Sequence, residues 1–161
     1  MIVVSDTSPL NYLVLIGHVE ILPALFDRVV APPAVISELM HPDSPSPVHT
    51  WASVPPTWLE IIPPATIDPA IRLGAGEREA ISVARELRAE LLLVDERKAT
   101  KVAQRLGLHV VGTLNVLALA AERDLLELSS AIAALRQTTF REPKNLVAKL
   151  LAREAARRGQ S

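Results

Sequence analysis

Two short apolar runs, each ending at an acid, constrain the fold of this chain more than any other feature. Ile2-Val3-Val4-Ser5 stops at Asp6, and Leu91-Leu92-Leu93-Val94 stops at Asp95. Neither run alternates with polar residues, so a strand built on either must be covered on both faces. Elsewhere the apolar spacing turns helical, as at Ala80, Ile81, Ala84 and Leu87. Strands alternating with helices predict an α/β fold with a parallel sheet between helical layers. In such a sheet, residues just past the carboxyl ends of the strands line the crevice where ligands bind. Asp6 and Asp95 occupy positions of that kind.

The remaining elements follow from the same patterns. Ser8-Pro9 has the form of a helix N-cap followed by a first-turn proline, with Leu10, Leu13 and Val14 at helical spacing behind it. Helices are expected over 19–26, 48–53, 76–88, 96–106, 114–121, 128–135 and 143–157, and another from Pro32-Pro33 to about Met40. Brief strands are expected at 29–31 and 109–111, with an extended piece at 58–62. The 41–64 stretch is proline-rich and holds both tryptophans, Trp51 and Trp58. They are expected to pack in the core, with a partner surface as the alternative.

The chain has 161 residues, enough for a real core, and reads as a single domain over 1–161. With aromatic residues at only 3%, aliphatic side chains must build that core. There is no cysteine, which excludes a disulfide framework, thiol catalysis and cysteine-ligated zinc. The start meets an acid after only four residues beyond Met1 and lacks the pattern of a signal peptide. No uncharged stretch approaches the roughly 18 apolar residues of a membrane span. A cytoplasmic protein without membrane attachment is therefore expected. A net charge of −1 offers no global attraction for nucleic acid, so any such binding must come from local patches.

Four acids are candidates for chemistry: Asp6, Glu38, Glu77 and Asp95. Asp6 has two readings, a helix cap or a free carboxylate, and Ser8 before Pro9 can supply the cap instead. Glu77 shares the apolar side of its helix with Ala80, Ile81 and Ala84, whereas Arg78, Ser82, Arg85 and Glu86 are expected on the solvated side. A glutamate there can complement the helix dipole, but an unpaired buried carboxylate is costly and calls for a partner. Either Asp95 or Glu96 can cap the helix that follows them. Glu38 sits among Val35, Ile36, Leu39 and Met40, where a solvated flanking glutamate is the plain alternative. Taken together, four carboxylates on strand ends and helices form a hard oxygen donor set suited to Mg²⁺ or Mn²⁺. A cation there would acidify water and stabilise charge on a scissile phosphate.

The stretches Ser5-Asp6-Thr7-Ser8-Pro9-Leu10, Pro32-Pro33-Ala34-Val35-Ile36-Ser37-Glu38-Leu39, Gly76-Glu77-Arg78-Glu79-Ala80-Ile81, Leu93-Val94-Asp95-Glu96-Arg97 and Val111-Gly112-Thr113-Leu114 occur in this order. Through about Leu151, the chain resembles PIN-domain proteins and is similar to the VapC-like toxin ribonucleases, closest to a prokaryotic branch of PIN-like proteins. The resemblance implies a three-layer α/β/α sandwich with a central parallel sheet. It also implies Mg²⁺- or Mn²⁺-dependent RNA cleavage, with Asp6, Glu38, Glu77 and Asp95 as both catalytic and metal-binding residues. The expected partners are an RNA substrate, a cognate antitoxin protein and a second copy in a homodimer. The third acid is glutamate where the best-studied toxins use aspartate. The Asp95-Glu96 pair stands where this branch often shows two aspartates, so Glu96 is a further metal candidate.

Arg97, Lys101 and Arg105 recur at i, i+4 and i+8, with Ala99, Val102, Ala103 and Leu106 opposite. This is a solvated helix face or a track for an RNA backbone. Thr113 is a candidate for a hydrogen bond to an aspartate or a substrate phosphate, or for a helix N-cap, and Thr7 and Ser8 carry the same alternatives near Asp6. The four histidines lack metal-ligand spacing. A catalytically silent PIN-like module that binds RNA or protein is the competing reading. A phospho-receiver domain would need paired acids after its first strand, and a haloacid-dehalogenase phosphatase would need an aspartate where Ser8 stands.

Overall fold

The structure is a computed structural model and describes residues 1–159. Its centre is a sheet of five short strands: β1 (Ile2–Ser5), β2 (Arg28–Ala31), β3 (Leu59–Ile61), β4 (Leu91–Leu93) and β5 (Val110–Val111). All adjacent pairs run parallel, in the order β3-β2-β1-β4-β5. The chain steps outward from β1 to β2 and β3, then crosses to the other side of β1 for β4 and β5. β1 and β4 therefore flank the switch point, where the connections leave in opposite directions and open a crevice.

The uninterrupted apolar runs are explained by two cores. Val3, Val29, Ala31, Leu59 and Leu93 face one cluster, which they share with α1 (Thr7–Leu15), α2 (Ile21–Leu25), α3 (Pro33–Leu39), α4 (Ser46–Ser53), α7 (Thr113–Glu122), α8 (Leu128–Arg136) and α9 (Leu146–Gly159). Val4, Val30, Leu92 and Val94 face the second, made mainly by α5 (Ala75–Leu87) and α6 (Arg97–Arg105). Successive strand residues point to opposite faces, so both must be apolar. The result is an α/β protein with helices on both sides of a parallel sheet.

Most expected elements are present, and three local readings require correction. α1 begins at Thr7, one residue before the expected cap, and Ser8 lies inside the helix. α9 begins at Leu146 rather than near Pro143, because Asn145 adopts a left-handed φ of 66° and interrupts the helical path. The solvated side expected for α5 is partly covered: Ser82 is buried and Arg78 is half-buried. The 65–72 segment crosses that side, with the Ala65 and Thr66 N–H groups donating to Glu86 and Ile71 joining the second core. Trp51 and Trp58 are half-buried against the first core, their rings 6.1 Å apart. No helix among the described residues is long and apolar enough to cross a membrane.

Candidate active site

Asp6 anchors the site from the centre of the sheet. Its N–H donates to the Leu93 carbonyl at 2.9 Å, extending the pairing of β1 with β4 by one residue. The residue occupies the N-cap position of α1, yet its side chain makes no capping bond. Only 4% of Asp6 is exposed, and its Oδ1 is buried without a hydrogen-bond partner. Burial pushes its pKa up to about 7. The Thr7 N–H opposes that rise, while the negative charges of Glu77, Glu38 and Asp95 add to it.

Glu38 reaches the same cleft from the last turn of α3. Its Oε2 accepts a short hydrogen bond from the Thr7 hydroxyl, and its Oε1 accepts the Gly76 N–H at 3.0 Å. Gly76 is required here by space. A Cβ at that position would lie 2.5 Å from Glu38 Oε2 and 2.8 Å from its Cδ. Glu77 follows on α5, half-buried, with its Oε1 accepting the Gly74 N–H at 3.2 Å. Desolvation raises its pKa, with Glu96 and Glu38 adding repulsion, against the Gly74 bond and the nearby Lys98 charge.

Asp95 and Glu96 divide the two tasks that the sequence left open. Glu96 caps α6, accepting the Lys98 N–H at 3.0 Å and the Ala99 N–H at 2.7 Å. Asp95 is held by three donors: the Ser8 hydroxyl at 2.8 Å, and the Thr113 N–H and hydroxyl, each at 2.7 Å. Thr113 is completely buried and spends both donors on Asp95. Ser8, proposed above as a helix cap, is instead a tie between α1 and the end of β4.

An open cleft of about 360 Å³ is lined by Asp6, Glu38, Glu77 and Glu96, together with Thr7, Ser8, Asn11, Tyr12 and Gly74. Asp95 does not line this cleft, though its charge acts on Asp6 through the Ser8 side. Arg97, Lys101 and Arg105 lie exposed on α6, outside the cleft lining. Asn11 and Tyr12 were not singled out from the sequence. The signal was available, because each lies one helical turn beyond Thr7 or Ser8 and shares its face.

Among the described residues, no three acids or histidines form a ready-made metal cage. Asp6, Glu38, Glu77 and Glu96 border one cleft, and of these Glu38, Glu77 and Glu96 are each held by their own donors. The donor set nevertheless fits a hard cation, since every candidate ligand atom is a carboxylate oxygen. The orphaned Oδ1 of Asp6 is the strongest sign of fit, because a buried unpaired acceptor carries a desolvation cost that a cation would relieve.

The raised pKa of Asp6 sets an expected pH dependence for the metal-free protein. Between about pH 4 and 7 the folded chain keeps a proton that the unfolded chain has lost. Its stability therefore falls as pH rises through that window, then levels off. Urea denaturation in EDTA at pH 5 and pH 8 measures this. The wild type should lose roughly 2–4 kcal/mol more than Asp6→Asn between those values. Equal losses in the two proteins would show that Asp6 is not the group responsible.

A five-stranded parallel sheet carrying acids at the carboxyl ends of its central strands defines an α/β protein with its candidate site at the switch point. A family model described as DUF3368, a PIN domain, matches residues 2–155, so the chain belongs to that family. The fold is also similar to a solved PilT N-terminus domain protein from the hyperthermophilic archaeon Sulfolobus solfataricus P2. That likeness has a TM-score of 0.51 at 16% identity, covering 89% of this chain and all of the other. No curated protein matches the chain. PIN domains are a nuclease-type fold, and at this identity the structural likeness speaks for the fold alone.

Proposed function

We propose that this PIN domain is a Mg²⁺- or Mn²⁺-dependent endoribonuclease, the toxin of a toxin–antitoxin pair, acting in the cytoplasm as a homodimer under the control of a cognate antitoxin protein. The observation that carries the nuclease reading is the buried, unpartnered Oδ1 of Asp6 in a cleft bordered by Glu38 and Glu77. These three residues would hold the cation, with Glu96 at the rim and Asp95 adding charge from the Ser8 side. When bound, a divalent cation supplies electrostatic stabilisation for phosphodiester hydrolysis and acidifies water.

The chain's own residues supply position. Thr7 and Gly76 fix the Glu38 carboxylate in one orientation, and Ser8 with Thr113 fixes Asp95. Asp6 follows β1 directly, and the bond from its N–H to the Leu93 carbonyl fixes its backbone at the end of the sheet. No cysteine is present to serve as a nucleophile, and no histidine lines the cleft. The Thr7, Ser8 and Tyr12 hydroxyls that line the cleft are engaged with Glu38, Asp95 and Thr139, and the step we assign is direct hydrolysis by water, without a covalent enzyme intermediate.

A nuclease-free preparation incubated with labelled single-stranded RNA tests the proposal. Internal cleavage should occur in millimolar Mn²⁺ or Mg²⁺ and stop in EDTA. RNA bound but left intact under all cation conditions would favour the silent RNA-binding module instead.

A further inference from the structure

A second cavity of about 220 Å³ adjoins the acid cleft, on the far side of Asp95. Val110, Leu114, Phe140, Pro143 and Leu146 supply apolar walls, and Asn115 and Asp95 supply polar ones. The two spaces share a boundary built from side chains of both. Ser8 lines the cleft and donates to Asp95, which lines the cavity. Tyr12 lines the cleft and meets Phe140 of the cavity edge-on, with ring centroids 5.1 Å apart at 81°. The Tyr12 hydroxyl is tied to Thr139 at 3.0 Å, which fixes the start of the wall that Phe140 forms.

We infer that this cavity is a nucleobase subsite, receiving a base of the RNA strand whose phosphodiester lies in the acid cleft. The inference rests on the nuclease reading for the occupant of that cleft and adds the place of a neighbouring base. Size favours a single flat ring system, because the space is smaller than the roughly 300 Å³ at which sites for drug-sized ligands begin. Chemistry favours a base over a purely apolar group. Phe140 offers a ring on which a base can stack, the device by which single strands are held without regard to sequence. Asn115 adds a side-chain amide that makes no hydrogen bond with any described residue. An amide both donates and accepts, so it can pair with the edge of a base.

The surrounding charge suits a strand that passes over the cavity. Arg141 and Lys144 alternate with the lining residues Phe140, Pro143 and Leu146, and both are exposed. Arg97 lies three residues before Thr100, itself a lining residue, and so on the same side of α6. None of these three cations is paired with an acid among the described residues. Free cations beside an apolar slot bind phosphates while the base enters the slot. The sequence offered Arg97 as a candidate for substrate binding. The cavity supplies the direction in which the strand would run from it.

The test uses fluorescence anisotropy of a labelled single-stranded RNA, measured in EDTA so that nothing is cleaved. A series of oligonucleotides, each abasic at one position, is titrated against the wild-type protein and against Asn115→Ala and Phe140→Leu. Removing one particular base should raise the wild-type Kd by roughly five- to a hundredfold, the range for loss of one stacked base. Both variants should bind the intact RNA more weakly, and neither should respond to removal of that base. With Mn²⁺ present, the variants should raise KM while leaving kcat within about twofold. Indifference of wild-type binding to every abasic position overturns the subsite, and that arm needs no variant to fold. Cleavage with no base dependence sinks the subsite while leaving the nuclease reading intact. Base-dependent binding without cleavage does the reverse, and abolition of binding only by Arg141→Ala or Lys144→Ala reduces the cavity to a backbone contact.

Discussion

Asp6→Asn is expected to reduce RNA cleavage below about one per cent of wild type. Replacing even an outer-shell partner of a metal ligand typically costs 10- to 100-fold, and Asp6 is the buried centre of the proposed donor set. The substitution keeps the volume and removes the charge. At neutral pH and above it also relieves the burial of an ionised carboxylate, so the variant should fold and be the more stable protein without cation. Loss of activity together with gained stability separates a functional acid from a structural one, since a structural carboxylate would lose both. The measurements are kcat/KM in Mn²⁺ and a urea midpoint in EDTA at pH 8. Cleavage within tenfold of wild type would remove Asp6 from the site.

Gly76→Ala is the second large expected effect, and it is one that helix propensity alone would not predict. Gly76 lies in the first turn of α5, where alanine is the better helix former by up to about 1 kcal/mol. On that ground the variant should be as stable as wild type or more so. The added Cβ, however, would lie 2.5 Å from Glu38 Oε2, well inside contact distance. Glu38 ends in a flexible side chain, so its carboxylate moves and the fold survives. It then loses the hydrogen bond from the Gly76 N–H and its orientation toward the cleft. A misplacement of about 1 Å can cost a hundredfold in rate, and kcat/KM should fall by about that much. Mn²⁺ affinity by calorimetry should weaken in parallel. A variant that melts normally, binds Mn²⁺ normally and cleaves normally would show that the position of Glu38 is irrelevant to the reaction.

The contrast between these two residues shows what local sequence can reveal. Asp6 announces itself because a four-residue apolar run places it at a strand end, and the run is contiguous. Glu77 is visible for a similar reason, since helical spacing sets it on the side of Ala80 and Ile81. Glu38 had only its local neighbours, which allowed a solvated side chain equally well. Its role is set by Thr7 and Gly76, which lie 31 and 38 residues away in the chain. The same holds for Asp95, whose three hydrogen bonds come from Ser8 and Thr113. Capping is the local use of serine before proline, and Ser8 instead bonds Asp95 across the sheet. The competing long-range bond could be seen only once β1 and β4 were known to be neighbours.

The sequence by itself determined the parallel sheet, the α/β class and two acids at the carboxyl ends of its strands. Those follow from the burial of continuous apolar runs, and periodicity reports burial directly. Only the tertiary structure decided which of Asp95 and Glu96 caps α6, which side of α5 the 65–72 segment covers, and how Glu38 is held. It also decided that Asp6, Glu38, Glu77 and Glu96 border a cleft, with Asp95 outside its lining, without forming a closed cage among the described residues. Each of those outcomes depends on hydrogen-bond donors brought together by the crossing at the switch point. Donor and acceptor pairing across the chain leaves no periodic trace, because a single N–H or hydroxyl can serve its own helix or a distant carboxylate with little change in local sequence.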